Sequence, residues 1–245
     1  MKSESQNQFT IAVWDLPSRI FHWMNLFLVL MLLFVGVIML FKPELGITGL
    51  AAKIKLKELH IIIGYGFVIN LVIRLIWGFV GNKFARWSAL TFKKGEIKQY
   101  VKNVRGDNTS QYIGHNPLGK VAVILILLTL VIISVTGLIR AGTDVYYPPF
   151  GRMTQQFIAQ ENVEPTLIKP YDKTGVDENK YAFLSPYKGL AGKVHLYSVY
   201  FLMLLIFFHV LGVVLAEITH QPGIVSAMIS GKKSHLRTPK NDVKM

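Results

Sequence analysis

The chain has no cysteine, which excludes disulfides, cysteine-ligated iron–sulfur clusters and any prosthetic group attached through thioethers. Charge is also scarce. Charged residues make up 17% of the 245 positions, against about 25% in an ordinary soluble domain, while 51% are apolar. Carboxylates are scarcest where the chain is most apolar. The runs 20–41, 59–80, 121–139 and 194–216 contain no Asp or Glu, and only Glu217 stands at the edge of the last. Each run has the roughly 20 residues needed to cross a bilayer, so a soluble enzyme is excluded. Residues 1–10 lack the basic region, apolar core and small-residue cleavage site of a secretory signal, so the first run is expected to remain in place. No nucleophile triad, phosphate loop or general acid/base pair is present.

These lengths predict an all-α membrane protein, a single four-transmembrane-helix bundle over 1–245. An outer loop is expected at 141–193 and a tail at 217–245. Lys and Arg number 27 against 14 acids, a formal charge of +13. That charge flanks the spans, which argues for membrane topology rather than nucleic acid. With four spans, residues 1–20, 81–120 and 217–245 share a side and carry 15 Lys and Arg against 6 acids. The opposite side carries 11 against 8, so the positive-inside rule places both termini in the cytoplasm. Residues 92–104 are basic with apolar residues at helical spacing, as in a helix lying along the headgroups. Asn116 and Pro117 read as the N-cap and first residue of span three.

Four histidines, His22, His60, His195 and His209, fall within the spans, where an ionisable side chain is costly and marks function. His195 and His209 stand on one helix with about 21 Å of rise between them and within about 40° of one face. Because the spans alternate in direction, His60 shares the outer level with His195 and His22 the cytoplasmic level with His209. The second match requires span one to begin early, near Pro17, or the helices to tilt. Two neutral imidazoles approaching from opposite sides suit a planar b-type haem, whereas zinc normally takes more ligands. The pairs His22/His209 and His60/His195 therefore predict two non-covalent b-type haems held between helices.

Gly36 follows His22 by the same spacing and could admit a macrocycle at the outer level. Arg74 follows His60 likewise, and Arg19 lies one turn before His22; both are candidates for haem propionates at the cytoplasmic level. Lys57, one turn before His60, stands in the equivalent outer place. Each also has a plainer reading, as a flanking charge or a snorkelling side chain. Gly36, Gly64 and Gly212 equally suit close helix packing, and Phe21, Trp23, Tyr65, Trp77, Phe207 and Phe208 read as packing or lipid contacts. His115, Glu217 and His220 lie near the cytoplasmic interface, where a quinone could find a proton partner or where they are surface residues. His235 reads as tail. The four histidines could alternatively be packing groups or metal ligands of a non-redox membrane protein.

The stretch Trp14, Asp15, Leu16, Pro17, Ser18, Arg19, Ile20, Phe21, His22 and Trp23 resembles the bacterial cytochrome b561 and nickel-hydrogenase b-type cytochrome family. His60 with Gly64 and Tyr65, the run 74–78, the run 114–119 and the His195/His209 pair carry the rest of the likeness. The resemblance, which extends to the cytochrome subunit of formate dehydrogenases, implies a di-haem membrane anchor of the bacterial inner membrane. Such an anchor links a periplasmic redox protein to the quinone pool. The expected partner docks on 141–193 and is a c-type cytochrome or another oxidoreductase ahead of a hydrogenase, because the fifth span of some hydrogenase cytochromes is not found. The chain is then an electron-transfer protein of a respiratory chain or the cytochrome subunit of an oxidoreductase complex. A self-sufficient quinone-linked superoxide or ferric reductase is the alternative.

Overall fold

A computed structural model describes residues 8–106, 112–219 and 221–236. Four of its helices are long and apolar enough to cross a membrane: α1 (Leu16–Leu40), α2 (Leu50–Val80), α4 (Pro117–Asp144) and α6 (Glu178–Thr219). Shorter elements are α3 (Glu96–Arg105), α5 (Gly151–Ile158), α7 (Ile224–Ser230) and the strands β1 (Gln8–Ala12) and β2 (Lys232–Leu236). Large apolar side chains such as Phe34, Ile69 and Phe79 are more than half exposed, a surface suited to hydrocarbon rather than water.

The helices outrun their apolar windows because caps and helix propensity, not hydropathy, set where a helix ends. α1 begins at Leu16, since Asp15 Oδ1 accepts the Ser18 amide at 3.1 Å. α2 starts at Leu50 rather than 59, its first turns being the basic but helix-compatible stretch around Lys53, Lys55 and Lys57. Asn116 caps α4 as expected, its Oδ1 accepting the Gly119 amide at 2.7 Å. α6 begins at Glu178, where Asp177 Oδ1 accepts the amides of Asn179 and Lys180. Pro186 sits inside α6 but before the apolar window, where water can satisfy the carbonyl it leaves free. The expected loop 141–193 is thus shorter and partly helical, and the expected interfacial helix is α3.

The chain forms two compact units. The first takes the described residues of 1–24, 72–127 and 203–245. In it β1 pairs antiparallel with β2, Phe9 opposite His235 and Ala12 opposite Lys232, so that what reads as tail in the sequence is part of a sheet. Gly231 ends α7 at φ 81°, and its carbonyl accepts the amides of Val13 and Trp14. A Cβ there would stand 2.6 Å from the Trp14 carbonyl oxygen. Glu217 accepts the amides of Gly223 and Val225 and so holds the start of α7. Asp15 Oδ2 accepts Trp77 Nε1 and the Asn82 amide, and Asn82 Nδ2 returns a hydrogen bond to the Val13 carbonyl. Burial alone would raise the Asp15 pKa, but hydrogen bonds from Ser18, Asn82 and Trp77 outweigh it and hold the carboxyl below its ordinary value.

The second unit comprises 25–71 and 128–202. Asn70 Nδ2 donates to Asn25 Oδ1 at 2.6 Å, a side-chain pair that ties α2 to α1 where hydrocarbon offers no other partner. Ile158, Ala159, Ile168 and Val176 form a small apolar core beneath the connection between α4 and α6, with Tyr146, Tyr181 and Leu184 against it. Asp144, at the end of α4, is nearly fully buried and meets Lys57, Arg140 and Lys188.

Candidate functional site

The second unit brings His60 of α2 and His195 of α6 together, with their rings steeply inclined to one another. Their ring centroids lie 6.4 Å apart with planes at 74°. His195 Nδ1 lies 3.1 Å from the Ile133 carbonyl oxygen and 3.2 Å from Thr136 Oγ1. A carbonyl can only accept, so Nδ1 carries the proton and Nε2 keeps its lone pair. Thr136 Oγ1 donates to the Ile132 carbonyl at 2.7 Å, which leaves its oxygen lone pairs for the histidine. His60 Nδ1 is buried without a hydrogen-bond partner. Two glycines floor the pair: a Cβ on Gly36 would stand 3.9 Å from His60 Cε1, and one on Gly137 only 3.2 Å from His195 Cε1. Gly36 therefore reaches the level the sequence spacing predicts. Gly64, one turn after His60, faces open space.

In the first unit His22 and His209 lie within electrostatic reach of one another, and His22 Nδ1 is buried without a partner. Arg74 is half-buried. Its Nη2 donates to the Ala85 carbonyl at 3.3 Å and its guanidinium lies over the Trp87 ring, but Nη1 is buried and unpartnered. A Cβ on Gly78 would run into that indole, so the glycine is what lets Trp87 approach α2 beside Arg74. Arg19 Nη1 donates to the Ile229 carbonyl and its Nε is buried without a partner. His115 packs on Trp14 with ring centroids 4.8 Å apart. Burial first, then the nearby Arg74, His209 and Lys120, push its pKa down to about 4, so the imidazole is neutral at physiological pH.

Several sequence candidates have protein partners of their own. Lys57 pairs with Asp144 at 2.8 Å and donates to Tyr171. Glu217 is taken up by the amides of α7. Trp23, Tyr65 and Trp77 are not simple packing groups: their polar atoms donate to Met228, Pro148 and Asp15 respectively. His220 lies outside the described residues. The sequence reading missed Thr136, Gly137 and Asp144. Only Asp144 left a readable signal, a lone carboxylate four residues after Arg140 at a span end.

A family model described as prokaryotic cytochrome b561 matches residues 13–231. The chain belongs to this family. It is accordingly a member of a b-type cytochrome family, built as a helical membrane bundle. Among curated relatives of this cytochrome, a Ni/Fe-hydrogenase B-type cytochrome subunit of Rhizobium leguminosarum bv. viciae is 31% identical over 52% of the chain and 58% of the relative. The hydrogenase 1 subunit of Escherichia coli is 27% identical over 56% and 63%. A third, from Cupriavidus necator, is 23% identical over 91% and 86%. The chain thus spans less than two thirds of the first two relatives, and nearly all of the third. Among the described residues no group of three or more His, Asp or Glu is placed to hold a metal ion.

Proposed function

We propose that this cytochrome binds two b-type haems, one between His60 and His195 and one between His22 and His209, and carries single electrons across the bacterial inner membrane. The observation that carries the reading is the 6.4 Å between the His60 and His195 ring centroids. Two metal–imidazole bonds of about 2.0–2.1 Å, with about 1.1 Å from each nitrogen to its ring centre, call for about 6.3 Å. The buried Nδ1 atoms of His22 and His60, which have no protein partner, leave those rings free to turn either nitrogen toward a ligand, and the small space at Gly137 beside His195 supports the fit. When bound, haem supplies a one-electron couple. The chain's own part is to present neutral imidazoles, to keep His195 in the tautomer whose Nε2 is free, and to exclude water with apolar helices.

Electrons pass between the quinone pool at the cytoplasmic side, near the first unit, and a periplasmic redox protein at the other. The excess of Lys and Arg on the segments that hold both termini supports this orientation. The names of the relatives support a Ni/Fe-hydrogenase as that partner, ahead of the c-type cytochrome favoured by the span count. Neutral His115 beside Arg74 and His209 supports a quinone contact in the first unit. The test is a reduced-minus-oxidised spectrum with a pyridine haemochrome assay on purified protein and on His60→Ala and His209→Ala. Two haems per chain with a different one lost in each variant is expected; a folded preparation that keeps both in each variant overturns the ligand assignment.

A further inference from the structure

The buried charge at the end of α4 does not balance. Asp144 Oδ2 lies 2.8 Å from Lys57 Nζ and 2.5 Å from Arg140 Nη2, and its Oδ1 lies 3.0 Å from Lys188 Nζ. One carboxylate, its side chain 6% exposed, thus gathers three cations that are themselves only partly exposed. Lys42 adds a fourth positive charge within electrostatic reach of Lys57 and Asp144. Unmatched charge is expensive at a membrane span end, so an arrangement this fixed calls for further negative charge.

Placement says what that charge is. Lys57 precedes His60 by one helical turn on α2, Arg140 follows Gly137 by one turn on α4, and Lys188 precedes His195 by two turns on α6. Arg140 also lies within electrostatic reach of His195. By their positions along the three helices, all three cations therefore lie toward the same end of the helices relative to the two imidazoles, the end that a carboxylate on the rim of a macrocycle held between them would have to face. We infer that Lys57, Arg140 and Lys188, organised by Asp144, clamp the two propionates of the haem held by His60 and His195. Two propionates bring two negative charges, which together with Asp144 offset three of the four positive charges. The inference rests on the haem reading above. Asp144 is a positioning residue: it gathers the three cations on one carboxylate, and an amide of the same shape in its place keeps them there while removing one negative charge.

Two measurements test it. Ferrous haem carries one positive charge less than ferric, so a nearby cation favours the reduced form. In a redox titration of the purified holoprotein, Lys188→Gln should lower and Asp144→Asn should raise the midpoint of the haem that His60→Ala removes. Each should change its oxidised-to-reduced ratio about tenfold, which is 59 mV for a one-electron couple. A merely structural defect would move both the same way. The deciding readout is refilling of the full-length apoprotein with haem or with haem dimethyl ester, whose propionates are blocked. The native chain should prefer haem at least tenfold at this site, and Lys188→Gln, with its partly exposed side chain, should lose most of that preference. If Lys188→Gln discriminates as strongly as the native chain, the clamp assignment falls while the haem reading stands. If His60→Ala loses no haem, it is the reading beneath it that has failed.

Discussion

Trp77 Nε1 donates to Asp15 Oδ2 at 3.1 Å, joining the last turn of α2 to the residue that starts α1 across 62 positions of sequence. The same carboxylate caps α1 and takes the Asn82 amide, so one side chain fixes the entry angle of the helix that carries His22. Asp15→Asn keeps the shape but cannot accept as strongly from three donors. A loss of about 1–2 kcal/mol is expected, read as a lower thermal midpoint, with His22-level haem lost first on heating. Because the folded carboxyl titrates below its unfolded value of 3.8, its contribution is present above pH 4 and lost as pH falls through the folded value. The gap between native and variant midpoints should therefore hold from pH 7 to 5 and close below pH 4; a gap independent of pH would show that the charge does not matter.

Thr136 and the Ile133 carbonyl share the Nδ1 proton of His195. Thr136→Val removes one acceptor at constant volume. The imidazole becomes a weaker donor, ferric haem is less favoured, and the midpoint at that site should rise, while haem affinity falls by less than tenfold since Ile133 remains. Thr136→Ser should leave both unchanged.

Gly137 and Gly36 face the two rings at unequal distances: a methyl carbon added at each would stand 3.2 Å and 3.9 Å, respectively, from the nearest ring carbon. Gly137→Ala should therefore press His195 out of line and lower haem occupancy of the second unit, whereas Gly36→Ala should be tolerated. Haem-to-protein ratios of the two variants check this directly, and equal ratios would contradict it.

Lys233 is buried, donating to the Tyr112 carbonyl at 2.7 Å, and burial brings its pKa down to about 8 although Glu217 opposes the shift. The unfolded lysine titrates near 10.5, so the unfolded chain binds more protons between pH 8 and 10.5. The cost of burying the charge is present in full below pH 8 and is relieved as pH rises toward 10.5. Relative to Lys233→Met, the native chain should gain stability from pH 7.5 to 10; a flat difference would place the ammonium in water.

Local spacing is enough to see the four spans, the helix start at Asn116 and Pro117, and the four histidines, because hydropathy, capping and helical repeat are properties of neighbouring residues. The equal rise along one helix puts Gly36 at the level of His60, where an added Cβ would stand 3.9 Å from the ring. What spacing could not reveal are the partners drawn from distant stretches. Asp144 is one acid among 14 until Lys57, 87 residues away, and Lys188 close on it. Thr136 is an ordinary helix threonine until α6 brings His195 beside it. The pairing of β1 with β2 joins the two ends of the described chain, and neither strand alternates strongly enough to announce itself. The order of residues along the chain dictates which of them can lie in the membrane and which can bind a metal. Which charges neutralise one another, and which imidazole nitrogen is free, is settled in three dimensions, because both depend on contacts a few ångströms long between residues remote in sequence.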